Sequence, residues 1–193
     1  MIPRQYALLA GALVALAAAG ALFERSLEPD AEPMAIRGDG IGPLVLGGDY
    51  ATAVAAAQRV APQSTFAGLG CGGLDEVRFS GVLGELPVSA MGMADDDRLV
   101  EIELGLDAPL QAADQAACLA LRDRFAEAFI ERFGSATEHW EVRKPVSREF
   151  MARTGPVVLV ARWFSTGRSC YVSAVYGAAP ERLERQAGLG PLR

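Results

Sequence analysis

The chain has 193 residues, 51% of them hydrophobic, with 18 basic and 24 acidic residues for a net charge of −6. Setting aside a leader and a linker leaves on the order of 150 residues, the size of one domain and large enough to bury a core of its own. Lys144 is the only lysine among the basic residues, a bias expected of a GC-rich genome and not a functional signal.

Residues 1–23 read as an export segment. Tyr6 to Phe23 is an unbroken apolar run of Ala, Leu, Gly and Val, preceded by Arg4 and followed at once by Glu24 and Arg25. Two readings stand. As a cleaved signal peptide it offers Ala17 and Ala19, or Ala19 and Ala21, for the cleavage pocket. As an uncleaved anchor it spans about 27 Å at helical rise, close to the roughly 30 Å of a hydrocarbon core. Its length exceeds a usual signal-peptide apolar region and no polar stretch precedes the cut, which favours the anchor. Positive charge before the run and Glu24, Glu28, Asp30 and Glu32 after it keep the amino terminus in the cytoplasm, so the body lies in the periplasm. The first cysteine is Cys71, too late for a lipid anchor.

Residues 24–37, acidic and carrying Pro29 and Pro33, read as a linker. The domain is then expected over 38–177. The glycine-rich run from Gly38 to Gly48 is a short extended lead-in closed by a turn. Asp49 caps a helix through Ala57 to about Val60, ended by Pro62. Strands follow at Glu76–Ser80, with Val77 and Phe79 on one face and Arg78 on the other, and at Leu86–Met93. After the turn at Asp95-Asp96-Asp97, Leu99–Leu104 alternates, with Val100, Ile102 and Leu104 inward and Glu101 and Glu103 outward.

Asp107 and Pro109 open a long helix ending at Gly134, with an apolar stripe of Ala117, Cys118, Leu121, Phe125, Phe129 and Phe133. Strands at Glu138–Val142, Val157–Phe164 and Ser169–Tyr176 follow, the last two flanking the hairpin loop Ser165-Thr166-Gly167-Arg168. Residues 178–193 are a tail. The expected fold is α+β: a helix with three antiparallel strands, stated twice, the helices packed on one face of the sheet.

Three cysteines in an exported chain invite one disulfide and a spare thiol. Cys118 on the long helix and Cys170 on the last strand each face the apolar side. A bridge between them closes a loop of about 50 residues, adding about 4 kcal/mol in the chain-entropy model. Pairings of Cys71 with either, or three buried reduced thiols, are the alternatives.

The lead-in Gly40-Ile41-Gly42-Pro43-Leu44-Val45-Leu46-Gly47 before a short helix resembles openings in the superfamily of the β-lactamase inhibitor proteins. A helix carrying Cys118 and ending in Phe133-Gly134 ahead of strands with Cys170 is similar too. The superfamily also holds the small lipoprotein of the outer-membrane barrel assembly machine. The resemblance, over residues 38–176, implies an exported, non-enzymatic protein that binds other proteins on its sheet face. The chain departs from the assembly-factor branch in lacking the lipoprotein cysteine.

Individual motifs weigh less. Gly38, Gly40 and Gly42 lack the preceding strand and following helix of a dinucleotide site. The tripeptide Arg37-Gly38-Asp39 carries no mechanism here. Cys71, between Gly70 and Gly72, is the one candidate nucleophile. Its base would be His139, the sole histidine, with Glu141 beside it, although a row of His139, Glu141 and Arg143 on an exposed strand is more often simply solvated. Asp95-Asp96-Asp97 lacks the loop of a calcium site, and one histidine with scattered cysteines gives no metal-ligand spacing, so no cofactor is expected.

Charge is distributed unevenly. Residues 75–114 hold ten acidic residues against Arg78 and Arg98. Residues 143–168 hold Arg143, Lys144, Arg148, Arg153, Arg162 and Arg168 against Glu149. Such polarisation steers association with a complementary surface. Arginine with aromatic neighbours is the composition of binding hot spots. The expected contact surface is therefore Trp140, Arg143, Lys144, Arg148, Arg162, Arg168 and Tyr171. Trp163 shares a face with Val157 and Leu159 and is expected in the core. The expected function is a non-enzymatic binding module that is held in the cytoplasmic membrane through residues 6–23 and docks a protein partner of the cell envelope, with no nucleic acid involved. The alternative is a small thiol-dependent hydrolase using Cys71 and His139.

Overall fold

The computed structural model describes residues 34–70 and 73–177. The leader, residues 24–33 of the linker, Cys71 and the tail 178–193 lie outside the described residues. Three two-residue strands, β1 (Ile36–Arg37), β2 (Gly40–Ile41) and β3 (Leu44–Val45), pair antiparallel into a small sheet of their own. Gly40 is needed there because a side chain would run into the Leu44 carbonyl. Ile41 and Leu44 are fully buried and Met34 is packed into the core, so core packing begins within the stretch read as linker.

Helix α1 (Tyr50–Val60) follows, its first turn closed by the Asp49 carboxylate accepting the Thr52 N–H at 2.8 Å. Then come β4 (Phe66–Leu69), β5 (Asp75–Leu83), β6 (Leu86–Asp95), β7 (Arg98–Leu106) and the short β8 (Leu110–Gln111). Helix α2 (Gln115–Phe133) leads to β9 (Glu138–Arg143), β10 (Ser147–Thr154), β11 (Val157–Phe164) and β12 (Ser169–Gly177).

The expected helix-plus-three-strand α+β repeat is corrected by this topology. The chain is mostly β, 51% strand and 21% helix. Strands β4 to β12 form one nine-stranded antiparallel sheet in the order β4-β5-β6-β7-β12-β11-β10-β9, with β8 paired to β12. Each helix precedes four strands of this path, not three, and the two four-strand meanders merge where β7 meets β12. The physical reason is that β4 and β10 are strands whose residues do not advertise it. The start of the long helix is also corrected: Asp114, not Asp107, caps it by accepting the Ala117 N–H at 2.8 Å. The intervening residues leave β7 at Leu106 and form the short β8 instead, with the Asp107 N–H donating to the Pro87 carbonyl.

Both helices pack on the same face of the sheet. Helix α1 buries fully only the small side chains of Ala53 and Ala57, with Tyr50, Val54 and Val60 half-buried at its margins, and lies against β5, which carries Val77 and Phe79. Helix α2 buries Cys118, Leu121, Phe125, Ala126 and Phe129 over β11 and β12, while Ala117 stays exposed. The Phe125 and Phe129 rings stack at 5.6 Å, and Phe133 meets Tyr176 edge-on at 6.5 Å. Gly134 ends the helix at φ 86°, and its carbonyl accepts the Thr154 hydroxyl at 2.7 Å, tying the cap to β10.

Cys118 and Cys170 form a disulfide that binds α2 to β12. Trp163 lies against the same core and its indole N–H donates to the Ala112 carbonyl at 3.3 Å. Along β7 the alternation slips: a bulge opposite Met93 and Ala94 sends Leu99 into the core and leaves Val100 half-buried, correcting the inward placement of Val100. The Tyr176 hydroxyl donates to the Arg37 carbonyl at 3.2 Å, so the last strand holds the first.

Candidate functional site

The face turned away from α1 and α2 carries polar and charged side chains in register. Across β5, β6, β7 and β12, one row runs Arg78, Met91, Glu103, Val175 and the next runs Ser80, Ser89, Gly105, Ser173. The β5, β6 and β7 members of these rows, with Leu106, Asp107 and Tyr171, line a groove of about 340 Å³ near the middle of the sheet. Antiparallel alternation produces it: the partners of these residues along each strand, Val77, Phe79, Ala90, Ile102, Leu104 and Ala174, all fill the core.

Gly105 gives the groove its shape. A side chain there would collide with the Tyr171 hydroxyl, so the absence of one lets the tyrosine ring lie back across β7. Burial, reinforced by the neighbouring Glu103 charge, pushes the Tyr171 phenol up to about 12. Burial also raises the Glu103 carboxyl, opposed by a hydrogen bond with the Ser173 hydroxyl and by the charges of Arg162 and Arg78. Arg78 closes one side through Glu76 at 2.7 Å, and its guanidinium lies 3.6 Å from the Met91 sulfur. Ser80 donates weakly to Asp107 at 3.5 Å. The groove thus offers a phenol that stays protonated, two serine hydroxyls, a partly desolvated carboxyl and a guanidinium. It is equipped for hydrogen bonding to a polar partner surface, with Met91 as an adaptable apolar contact.

The structure disperses the contact surface expected from the sequence. Arg143 and Arg148 lie on the helix side of the β9 edge, both bonded to Glu141 at 2.9 and 3.1 Å. Those two bonds hold the Glu141 carboxyl below its ordinary range. Lys144 and Arg162 converge on Glu149 from the other side, at 2.7 and 2.8 Å. Burial works against ionisation of Glu149, but the Lys144 hydrogen bond and the Arg162 charge outweigh it and hold its carboxyl low.

Trp140 lies on the groove's face, packed with Val142 against Met151, Val158 and Val160, and its indole nitrogen is buried without a hydrogen-bond partner. Arg168 stands in the β11–β12 turn at φ 44°, its carbonyl accepting the Ala112 N–H at 2.7 Å. Of these residues, Arg162 and Tyr171 are register partners, and Tyr171 alone lines the groove. Sequence reasoning missed Arg78, Ser80, Ser89, Met91, Gly105 and Asp107 as site residues. The available signal was the outward period-two row of β5 and β7.

His139 shares the exposed row with Glu141 and Arg143 on β9. The described neighbours of Cys71, Gly70 and Gly73, close the β4–β5 turn. That turn and His139 belong to opposite edges of the sheet, seven interstrand steps apart along its order. Among the described residues no group of three or more His, Cys, Asp or Glu is placed to hold a metal ion, and no helix is long and apolar enough to cross a membrane. Compared with known proteins, the chain matches no family model, no curated protein and no solved structure.

Proposed function

We propose that this chain is a non-enzymatic binding module, carried out of the cytoplasm by its apolar leader and held at the membrane, that docks a protein of the cell envelope on the sheet face turned away from α1 and α2. The observation that carries this reading is the groove around Tyr171, Glu103 and Arg78, where a glycine opens space beside groups suited to hydrogen bonding. The disulfide between helix and sheet fits an oxidising compartment outside the cytoplasm. The resemblance to the β-lactamase inhibitor superfamily, whose members bind proteins on their sheet, agrees with it.

Site-specific photocrosslinking in intact membranes tests the reading. A photoreactive residue replacing Met91, in the groove, is expected to give a discrete adduct with an envelope protein. The same residue replacing Glu127, on the outer side of α2, is expected to give none. Adducts from Glu127 alone would place the partner on the helices and sink the proposal.

A further inference from the structure

The two edges of the large sheet differ in how they are guarded. At one end β9 presents Glu138, His139, Glu141 and Arg143, and charged residues on an edge are how a folded protein keeps a stray strand from adding. At the other end β4 reads Phe-Ala-Gly-Leu, with no charge, no proline and no bulge. Among the described residues β4 pairs with β5 alone. Phe66 is 53% exposed and Leu69 72% exposed, and Ala67 between them is exposed as well.

The hydrogen-bond phase of β4 follows from its neighbour. The Gly70 N–H donates to the Leu74 carbonyl at 2.8 Å, so Gly70 bonds inward, toward β5. By antiparallel alternation Gly68 and Phe66 bond inward too, which turns the N–H and C=O groups of Ala67 and Leu69 outward. Two residues with all four backbone groups facing out, flanked by exposed apolar side chains, are a template for one more strand.

Charge selects the occupant. Asp75, the register partner of Leu69, is exposed, and so are Asp95, Asp96 and Asp97 at the same end of the sheet. Arg78 and Arg98 are already engaged, by Glu76 and by the Gly47 carbonyl. A second copy of this chain would bring two such acidic ends together. A segment with basic flanks would meet a complementary field. We propose that β4 is an acceptor edge for an extended, basic peptide segment of another protein, which adds antiparallel or parallel beside Phe66–Leu69 through Ala67 and Leu69. This site is independent of the groove.

A titration of the full chain with the synthetic peptide acetyl-KTVTVK-amide, followed by backbone NMR, tests it. Saturable binding is expected, with the largest amide shifts at Ala67 and Leu69. Its acidic counterpart acetyl-ETVTVE-amide should bind about two- to fivefold more weakly or worse. Ala67→Pro removes an outward donor at an edge position where the sheet uses no N–H, and should weaken the basic peptide about tenfold. Asp75→Lys, which leaves the backbone untouched, should reverse the preference between the two peptides. Equal affinity for both peptides, unchanged binding by both variants, or shifts centred on Arg78 and Tyr171 would overturn the proposal. Shifts at Ala67 and Leu69 that grow with protein concentration and no peptide would also overturn it, since the occupant would then be a second copy.

Discussion

The two halves of the sheet are built to different standards. The second, β9–β12, is covered by a 19-residue helix that inserts two stacked phenylalanines and is locked to β12 by a disulfide. Four of its cations, Arg143, Arg148, Lys144 and Arg162, are bonded to Glu141 and Glu149. The first half, β4–β7, is covered by an 11-residue helix whose fully buried side chains are two alanines, and it ends in a neutral, exposed strand. The groove and the acceptor edge both lie on this lighter half or at its seam with the other. The proposed binding features thus concentrate on the half with the lighter helix cover.

The charge comparison carries a second lesson. The sequence makes residues 143–168 look like a cationic surface, but four of the five cations in the expected contact set are neutralised by glutamates within the same half. Formal charge along a chain is not the field a partner meets.

The sharpest way to break the contrast between the halves is to hollow out the heavier one. Phe129→Ala is expected to cost about 3–5 kcal/mol in urea unfolding, because the ring is fully buried under a long helix. If the loss were under about 1 kcal/mol, α2 would not be the anchor described here. Replacing Cys118 and Cys170 together by alanine should cost about 2–5 kcal/mol, read from the shift in the unfolding midpoint under non-reducing conditions. A reductant should then have no further effect.

Gly105→Ala tests the lighter half. Its methyl group would displace the Tyr171 hydroxyl, with a cost of about 1–3 kcal/mol. Quenched or shifted tyrosine fluorescence should report the displaced ring. The smallest effect separates two glutamates by pH. Glu149, held low, contributes stability that is complete above the ordinary glutamate range and is lost as pH falls through its folded value. Glu103 is raised, so the folded state binds the proton more tightly, and stability declines as pH rises from the ordinary range through its folded value. Glu149→Gln should therefore flatten the acid limb of a stability–pH curve, and Glu103→Gln should give a small gain near neutrality. Opposite signs would show that burial does not dominate at Glu103, or that Lys144 and Arg162 do not dominate at Glu149.

Much of this architecture is legible in the residues. Val77, Phe79, Ile102 and Leu104 announce their faces by alternation, and Asp49 and Gly134 mark helix ends with ordinary cap chemistry. β10 is hidden because Arg148, Glu149 and Arg153 interrupt its apolar pattern. Glu149 is inside because Lys144, from the preceding turn, and Arg162, across the β10–β11 pairing, both bond to it. β4 is hidden because alanine and glycine are weak strand formers, and the pairing with β5 decides the matter. Asp107 and Asp114 are equivalent as caps until Pro87 claims the Asp107 N–H. The groove is the least legible of all, since it depends on Gly105 and Tyr171, distant in sequence, meeting across the seam between β7 and β12.

That seam has a consequence for the order of assembly. The strand joining the two meanders is the last of the described strands, so when synthesis has delivered residue 160 the middle of the sheet is still missing. Until Ser169–Gly177 arrives, β7 and β11 are raw margins, Cys118 has no partner thiol at Cys170, and nothing holds Arg37 in place. Completion is therefore a single late event, and a chain shortened by one strand at this end would forfeit its centre while keeping both of its rims.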